Sequence, residues 1–220
     1  MPRANVSDRV RVRRQPKRGR YARADVEAVL DAGLVAHLAF VHDGQPYCIP
    51  TLYARAGDQV YIHGSSASRM LRALSDGARA CLTVTLLHGL VLARSVFEHS
   101  ANYESAVVLG TLRAVEGDDE RLAALEAFAE KLVPGRWDEA RGPSRKDLKA
   151  TAILALTLDE TSVKTRTGPP SDDDSEDAEL DVWAGVLPID SGFGEPVPSP
   201  GLRDGIALSE SARRLLNGSS

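Results

Sequence analysis

The sequence predicts a mainly β fold, a closed or split antiparallel barrel with peripheral helices, on three observations. Short apolar segments follow one another with tight-turn signals between them, the pattern of consecutive hairpins. No strand-helix-strand rhythm, which a doubly wound parallel sheet requires, runs through the chain. The stretch Ala80 to Val96 is almost continuously apolar, as strands closed into a barrel are.

Taken in order, Val26, Val29 and Leu30 make a helical apolar stripe over Arg23 to Asp31, and Gly33 stops it. Leu34 to Val41 then reads as a strand, and His42-Asp43-Gly44-Gln45 carries the Asp-Gly signature of a two-residue hairpin into a partner strand from Pro46 to Arg55. A turn at Ala56-Gly57-Asp58 leads into Gln59 to His63, with Val60 and Ile62 on one face and Tyr61 and His63 on the other. The small-residue loop 64–69 feeds a short helix through Met70, Leu71 and Leu74 that ends near Gly77. Arg79 to Leu87 and Leu90 to Phe97 read as a hairpin reversing at His88-Gly89, and Ser105 to Glu116 as a further long strand. Asp118 is placed to cap a helix whose stripe is Leu122, Leu125, Ala129 and Leu132, and Thr151 to Leu158 supplies the last strand. The expectation is six or seven strands and about three helices.

The 220 residues, 43% hydrophobic and 26% charged, suffice for one substantial core. The longest apolar-leaning stretch, Cys81 to Ala93, contains His88, two threonines and a glycine and is far shorter than the roughly 20 residues of a membrane-spanning helix. The basic N-terminus has no apolar stretch behind its charges, so no secretory signal is read and a cytoplasmic location is expected. Cys48 and Cys81, with no C-x-x-C or His-rich neighbourhood, read as reduced, buried small hydrophobes. Charge is unevenly spread: residues 1–24 hold nine Lys/Arg against one acid, and residues 170–220 hold three against eleven. This divides the chain into a basic arm (1–22), a barrel domain (23–168) and an acidic, Pro/Gly-rich extension (169–220). The arm has no interleaved aromatics before Tyr21 and no helix-turn-helix or zinc pattern after it, so nucleic acid is not an expected partner. The run Gly168 to Glu179, GPPSDDDSEDAE, reads as a linker or a surface lasso.

Among residues that carry chemistry, the loop 64–69 stands out. Gly64, Ser65, Ser66 and Arg69 place backbone N–H groups, hydroxyls and a cation at a helix start, which is what a phosphate needs and also what a plain helix cap looks like. His63 precedes the loop. The five histidines show no metal-ligand spacing, no G-x-S-x-G elbow or G-x-G-x-x-G is present, and Asp118, Asp119 and Glu120 are explained by a helix N-terminus. No metal site is expected and no catalytic acid or base is assigned.

The order GLVAHL (33–38), GQPYCIPTLY (44–53) and VYIHGS (60–65), followed by NYESAVVLG (102–110), VKTRTGPP (163–170) and VWAGVLP (182–188), resembles the pyridoxamine 5'-phosphate oxidase-like FMN-binding split-barrel superfamily, in its nitroimidazole-resistance (Nim) branch. The resemblance spans about residues 20 to 190. It implies a six-stranded antiparallel split barrel that forms a homodimer with FMN in clefts between subunits. Carried onto this chain, Ile49, Pro50, Thr51, Leu52 and Tyr53 would line the isoalloxazine, while His63, Gly64, Ser65, Ser66 and Arg69 would take the phosphate, with Ser105 a further contact. The same pattern places Lys164 and Arg166 near the cleft, while Trp137 and Trp183 are large rigid aromatics that either cover a flavin or the dimer interface or pack in the core. The implied function is an FMN-dependent oxidoreductase reducing a small, nitroaromatic-type substrate, with a reduced nicotinamide as donor. The alternative is a flavin-, deazaflavin- or haem-binding protein without turnover, with His37, His63, His88 or His99 as an axial ligand.

Overall fold

The computed structural model describes residues 6–172 and 175–218; Arg3 of the basic arm and Asp173 and Asp174 of the acidic run lie outside them. The strands are β1 (Gly19–Arg20), β2 (Val35–His42), β3 (Gln45–Leu52), β4 (Ala54–Ala56), β5 (Gln59–Ser65), β6 (Arg79–Leu92), β7 (Ser100–Thr111), β8 (Arg113–Ala114), β9 (Thr151–Thr157), β10 (Glu160–Arg166) and β11 (Gly185–Pro188). The helices are α1 (Arg23–Ala32), α2 (Arg69–Ser75), α3 (Asp118–Leu132), α4 (Arg136–Glu139), α5 (Arg145–Ala150) and α6 (Glu210–Asn217). All pairings are antiparallel and form two sheets, β1-β10-β7-β6-β2-β3 with β11 added to β6, and β4-β5-β9-β8.

The two sheets face each other across one core. Ala36 and Leu38 of β2, Leu82 and Val84 of β6 and Ala106 and Val108 of β7 meet Val60 and Ile62 of β5 and Leu154 and Leu156 of β9. Period-two alternation produces this: the buried residues of β2 are Ala36, Leu38 and Phe40, and those between them face outward. Helix α1 adds Val26, Val29 and Leu30 to the core, as its stripe requires, and α2 adds Leu71 and Leu74. Gly33 ends α1 with its N–H on the Val29 carbonyl at 3.0 Å, and a Cβ there would meet Val84 Cγ1 at 2.3 Å, so close packing demands the glycine. A second apolar cluster lies on the other face of the small sheet, where Ala54, Tyr61, Ile153 and Ala155 pack on Ala124 and Phe128 of α3.

Asp43 and Gly44 both have positive φ, 51° and 75°, in the expected hairpin. Four expectations are corrected. His88-Gly89 is not a reversal: β6 runs through it with a register shift opposite Tyr103 and Asn102, and the chain turns later, around Val96–Glu98. The glycine instead admits β11, since a Cβ at Gly89 would meet the Leu187 carbonyl oxygen at 2.8 Å. The single strand Pro46 to Arg55 breaks at buried Tyr53 into β3 and β4, which belong to different sheets. Helix α3 buries Ala124 and Phe128 rather than Leu122, Ala129 and Leu132, because the face it turns to the sheet is set by the packing of Phe128 among Ala54, Tyr61, Ile153 and Ala155. Cys48 is exposed and Cys81 half-buried, since both fall on the outward-facing row of their strands.

Both flanks of the barrel join the larger sheet. In the arm, Gly19 and Arg20 pair with Lys164 and Val163, and in the extension Gly185–Pro188 pair with Gly89–Leu92. Asp172, 1% exposed, anchors the start of the extension by accepting from the Arg94 N–H at 2.6 Å and pairing with its guanidinium at 3.3 Å.

Candidate functional site

Strand alternation divides the expected cofactor-lining residues into two sets. On β3, Ile49 packs toward the core opposite Leu38 and Thr51 lies opposite Ala36 on that same side. Pro50 and Leu52 point the other way, onto the outer face of the large sheet. Tyr53 is 1% exposed and its hydroxyl is shared between the Leu30 and Gly33 carbonyls at 2.6 and 2.9 Å, so its side chain supports the fold and contacts no cleft. Ser105 stands on the outer face, its hydroxyl 3.2 Å from that of Thr85.

The outer face brings together one unusual row. His37 on β2 lies opposite Pro50 on β3 and Thr83 on β6, and Thr83 lies opposite Val107 on β7. On the same face Val35, Val41, Leu52 and Leu87 are 45%, 57%, 42% and 47% exposed. Among the described residues the His37 imidazole has no hydrogen-bond, ion-pair or ring partner, unlike the others named above. His88 Nε2 is 3.1 Å from Glu104, His99 Nδ1 accepts from the Ala93 N–H at 3.2 Å, and His63 packs edge-on against Phe128 with ring centroids 4.2 Å apart.

The loop residues sit at the opposite end of β5. Ser68 caps α2 by position but without a side-chain hydrogen bond; the loop is instead closed by the Ser68 N–H on the Ser65 carbonyl at 2.9 Å and the Ala67 N–H on Ser65 Oγ at 3.2 Å. Ser66 lines a cavity of about 580 Å³ whose other polar walls are Arg121, Arg145, Lys149, Thr151 and Asp118. Arg145 and Lys149 come from α5, which a reciprocal Ser144–Asp147 capping box holds at its start. Hydrogen bonds from the Ser144 backbone and hydroxyl, with Arg141, bring the Asp147 carboxyl down to about 2. Arg121, from α3, donates to the Val115 and Thr151 carbonyls at 3.3 and 2.8 Å and to the Leu148 carbonyl, while its Nε is buried with no partner.

Of the expected phosphate set, Ser66 lines this cavity, Gly64 and Ser65 shape the loop leading to it, and His63 and Arg69 are elsewhere. His63 faces α3, where burial pushes its imidazole below the usual range and leaves Nδ1 without a partner. The Arg69 guanidinium lies 4.8 Å over the Tyr47 ring, tying α2 to β3. Arg121, Arg145, Lys149 and Tyr47 escaped the sequence reading; only the i,i+4 spacing of Arg145 and Lys149 hinted that two cations share a face. Trp137 is half-buried near α3, with its backbone N–H on Glu130 at 3.3 Å, and Trp183 is 62% exposed. No group of three metal-ligating side chains occurs among the described residues, and no helix there is long and apolar enough to cross a membrane.

Two facing antiparallel sheets around one core, with helices at the ends, make this a split β-barrel. The sequence profile of the Pyridoxamine 5'-phosphate oxidase family matches residues 22–165, and the chain belongs to that family. Among solved structures, the flavocytochrome Anf3 from Azotobacter vinelandii is 39% identical, covering 95% of this chain and 97% of its own, with a TM-score of 0.89. The FAD and heme binding protein from Mycobacterium smegmatis is also 39% identical, covering 90% and 97%, with a TM-score of 0.86. A protein from Bacteroides thetaiotaomicron named for 5-nitroimidazole antibiotic resistance is 18% identical, covering 66% and 85%, with a TM-score of 0.56, and shares the fold. No curated protein matches the sequence.

Proposed function

We propose that the chain is a flavin-dependent oxidoreductase of the flavocytochrome kind, carrying a haem as well as a flavin and working as a homodimer. The observation that carries this reading is the 39% identity, over 95% of the chain, to a protein named as a flavocytochrome, seconded by an equal identity to one named for FAD and haem. The second of these relatives is named for FAD, which favours FAD over the FMN implied by the sequence resemblance. The nitroaromatic substrate rests on the Nim resemblance alone, so we assign a small electrophilic acceptor with a reduced nicotinamide as donor.

The residues present fit both groups. For the flavin phosphate, the cavity lined by Ser66 and Thr151 carries the exposed cations Arg145 and Lys149 with Arg121 behind them, a set matched to a phosphoryl oxygen. For the haem, His37 supplies an imidazole on an outer face with exposed Val35, Val41 and Leu52 that the porphyrin and a second protomer would cover. A bound flavin supplies two-electron chemistry with the nicotinamide and a haem supplies one-electron exchange. The protein's part is to hold the phosphate, shield the outer face from water and fix the imidazole between Pro50 and Thr83.

The test is the absorption spectrum of the full chain purified without added cofactor, then titrated with FAD, FMN and hemin. Flavin bands together with a haem Soret band are expected. His37→Ala is expected to lose the Soret band and keep the flavin. Absence of both chromophores after titration overturns the reading, and haem retention by His37→Ala removes His37 from it.

A further inference from the structure

At the far end of β10 the basic arm folds back over the barrel and encloses two adjoining cavities of about 250 and 410 Å³ that share Arg18, Arg166 and Ser171. Among the described residues their walls carry six cations, Arg14, Lys17, Arg18, Arg20, Lys164 and Arg166, against the one carboxylate of Glu98. The clustering is built by pairing: β1 lies on β10 with Gly19 opposite Lys164, which brings the turn Pro16–Arg18 over the end of that strand. Gln15, just before the turn, is held in the left-handed region at φ 59°, a strained conformation for a residue with a side chain.

Arg166 is the central observation. It is 6% exposed, and its hydrogen bonds go to neutral acceptors, the Asn102 side chain and the carbonyls of Gly168 and Pro169. A buried guanidinium without a carboxylate is costly, and both its burial and the neighbouring Arg18 push its pKa down, so the site stores unneutralised positive charge. The nearby Asp172 does not relieve it, being engaged with Arg94. Thr165, in the wall of the smaller cavity, adds a buried hydroxyl oxygen with no hydrogen-bond partner. At the rim of the larger one stands Phe97, its ring 88% exposed.

We propose that this pocket binds the phosphates of a nucleotide of the ADP class, with the base against Phe97. Cations converging on a concave site with an orphan hydroxyl match a diphosphate, and an exposed aromatic ring beside them matches a planar base. The site shares no residue with the cavity at Ser66 and does not depend on the flavin reading.

Calorimetric titration of the purified full chain with ADP, pyrophosphate and inorganic phosphate tests this. Saturable binding of ADP and pyrophosphate, in competition with each other, is expected. The double variant Lys17→Ala/Arg18→Ala should weaken both by at least about tenfold, the scale of losing charge-assisted hydrogen bonds. Phe97→Ala should weaken ADP and leave pyrophosphate unchanged. Arg166→Met should abolish both; because Arg166 is buried, its circular dichroism is compared with the parent's, and the surface double variant carries the test alone if the fold is lost. No saturable binding of either ligand to the parent, or equal affinity in the double variant, overturns the proposal. Repeating the ADP titration with FAD present tests the separation of the two sites: undiminished ADP binding is expected, and displacement by FAD would put a flavin dinucleotide's own diphosphate here and overturn a separate nucleotide site.

Discussion

The Tyr53 hydroxyl lies 2.6 Å from the Leu30 carbonyl and 2.9 Å from that of Gly33, so one phenol closes the C-terminal end of α1 at the point where the chain passes from one sheet to the other. Burial, reinforced by Asp31, raises its pKa well above the usual range and keeps it a donor. Lys131 reaches the same spot, with Nζ 2.7 Å from the Leu30 carbonyl and 4.5 Å from the Tyr53 ring. Tyr53→Phe is therefore expected to leave Leu30 satisfied and Gly33 without its donor, lowering stability by about 1 to 2 kcal/mol. Urea unfolding measures this; an unchanged midpoint would show that water replaces the phenol.

Adjacent residues of β6 should differ sharply. Leu82 is 0% exposed between the sheets, whereas Thr83 lies on the outer face. Leu82→Ala is expected to cost roughly 2 to 5 kcal/mol, through lost burial and the cavity left behind. Thr83→Ala should stay within about 0.5 kcal/mol in the monomer. Thermal unfolding of the two variants side by side decides whether the inside and outside of the barrel are correctly assigned.

The C-terminal helix should leave first in acid. Glu139 accepts from the Ser211 hydroxyl and, at 2.9 Å, from the Ser211 N–H, so it caps α6 from α4. Those bonds bring its carboxyl from 4.5 to about 2. Because the folded value is the lower one, this support is complete above the unfolded value and fades as pH falls toward the folded one. Protection from hydrogen exchange in residues 210–217, taken relative to the intrinsic rate at each pH, should fall over that window while the barrel amides stay protected. Glu139→Gln should be weakly protected throughout; a parent protection profile flat across the same range would contradict the assignment.

Arg145→Ala with Lys149→Ala removes two exposed cations from the cavity at Ser66. On the proposed function, affinity for FAD or FMN should fall by about tenfold or more. Riboflavin, which lacks the phosphate, should bind equally well to parent and variant. Fluorescence quenching titrations compare the three, and an equal loss for riboflavin would move the phosphate elsewhere.

Much of the barrel was legible because period-two alternation and turn chemistry are local. Val26, Val29 and Leu30 lie on one buried face of α1, and Asp43-Gly44 makes its hairpin, since nothing beyond those few residues decides either. The strand through His88-Gly89 was misread because the glycine answers to a partner about a hundred residues away, the Leu187 carbonyl. For the same reason α3 was turned to the wrong face: its three leucines promise a stripe, but the sheet beneath accepts Phe128. At the candidate site the loop 64–69 was visible as a cluster of small polar residues. The cations around it arrive from α3 and α5, and no spacing within the sequence announces that Arg121 and Arg145 meet Ser66.

Strand β6 offers one side to two strands in succession, β2 along Ala80–Phe40 contacts through Thr83–His37, and β11 along Gly89–Leu92. A gene trimmed to the family-matched segment, residues 22–165, would omit β1 and β11 together. The amides and carbonyls of Gly89–Leu92 would then face water, or the same strip on another molecule. Such a shortened protein is expected to be recovered in inclusion bodies, a failure of expression that an activity screen would record as a lack of chemistry.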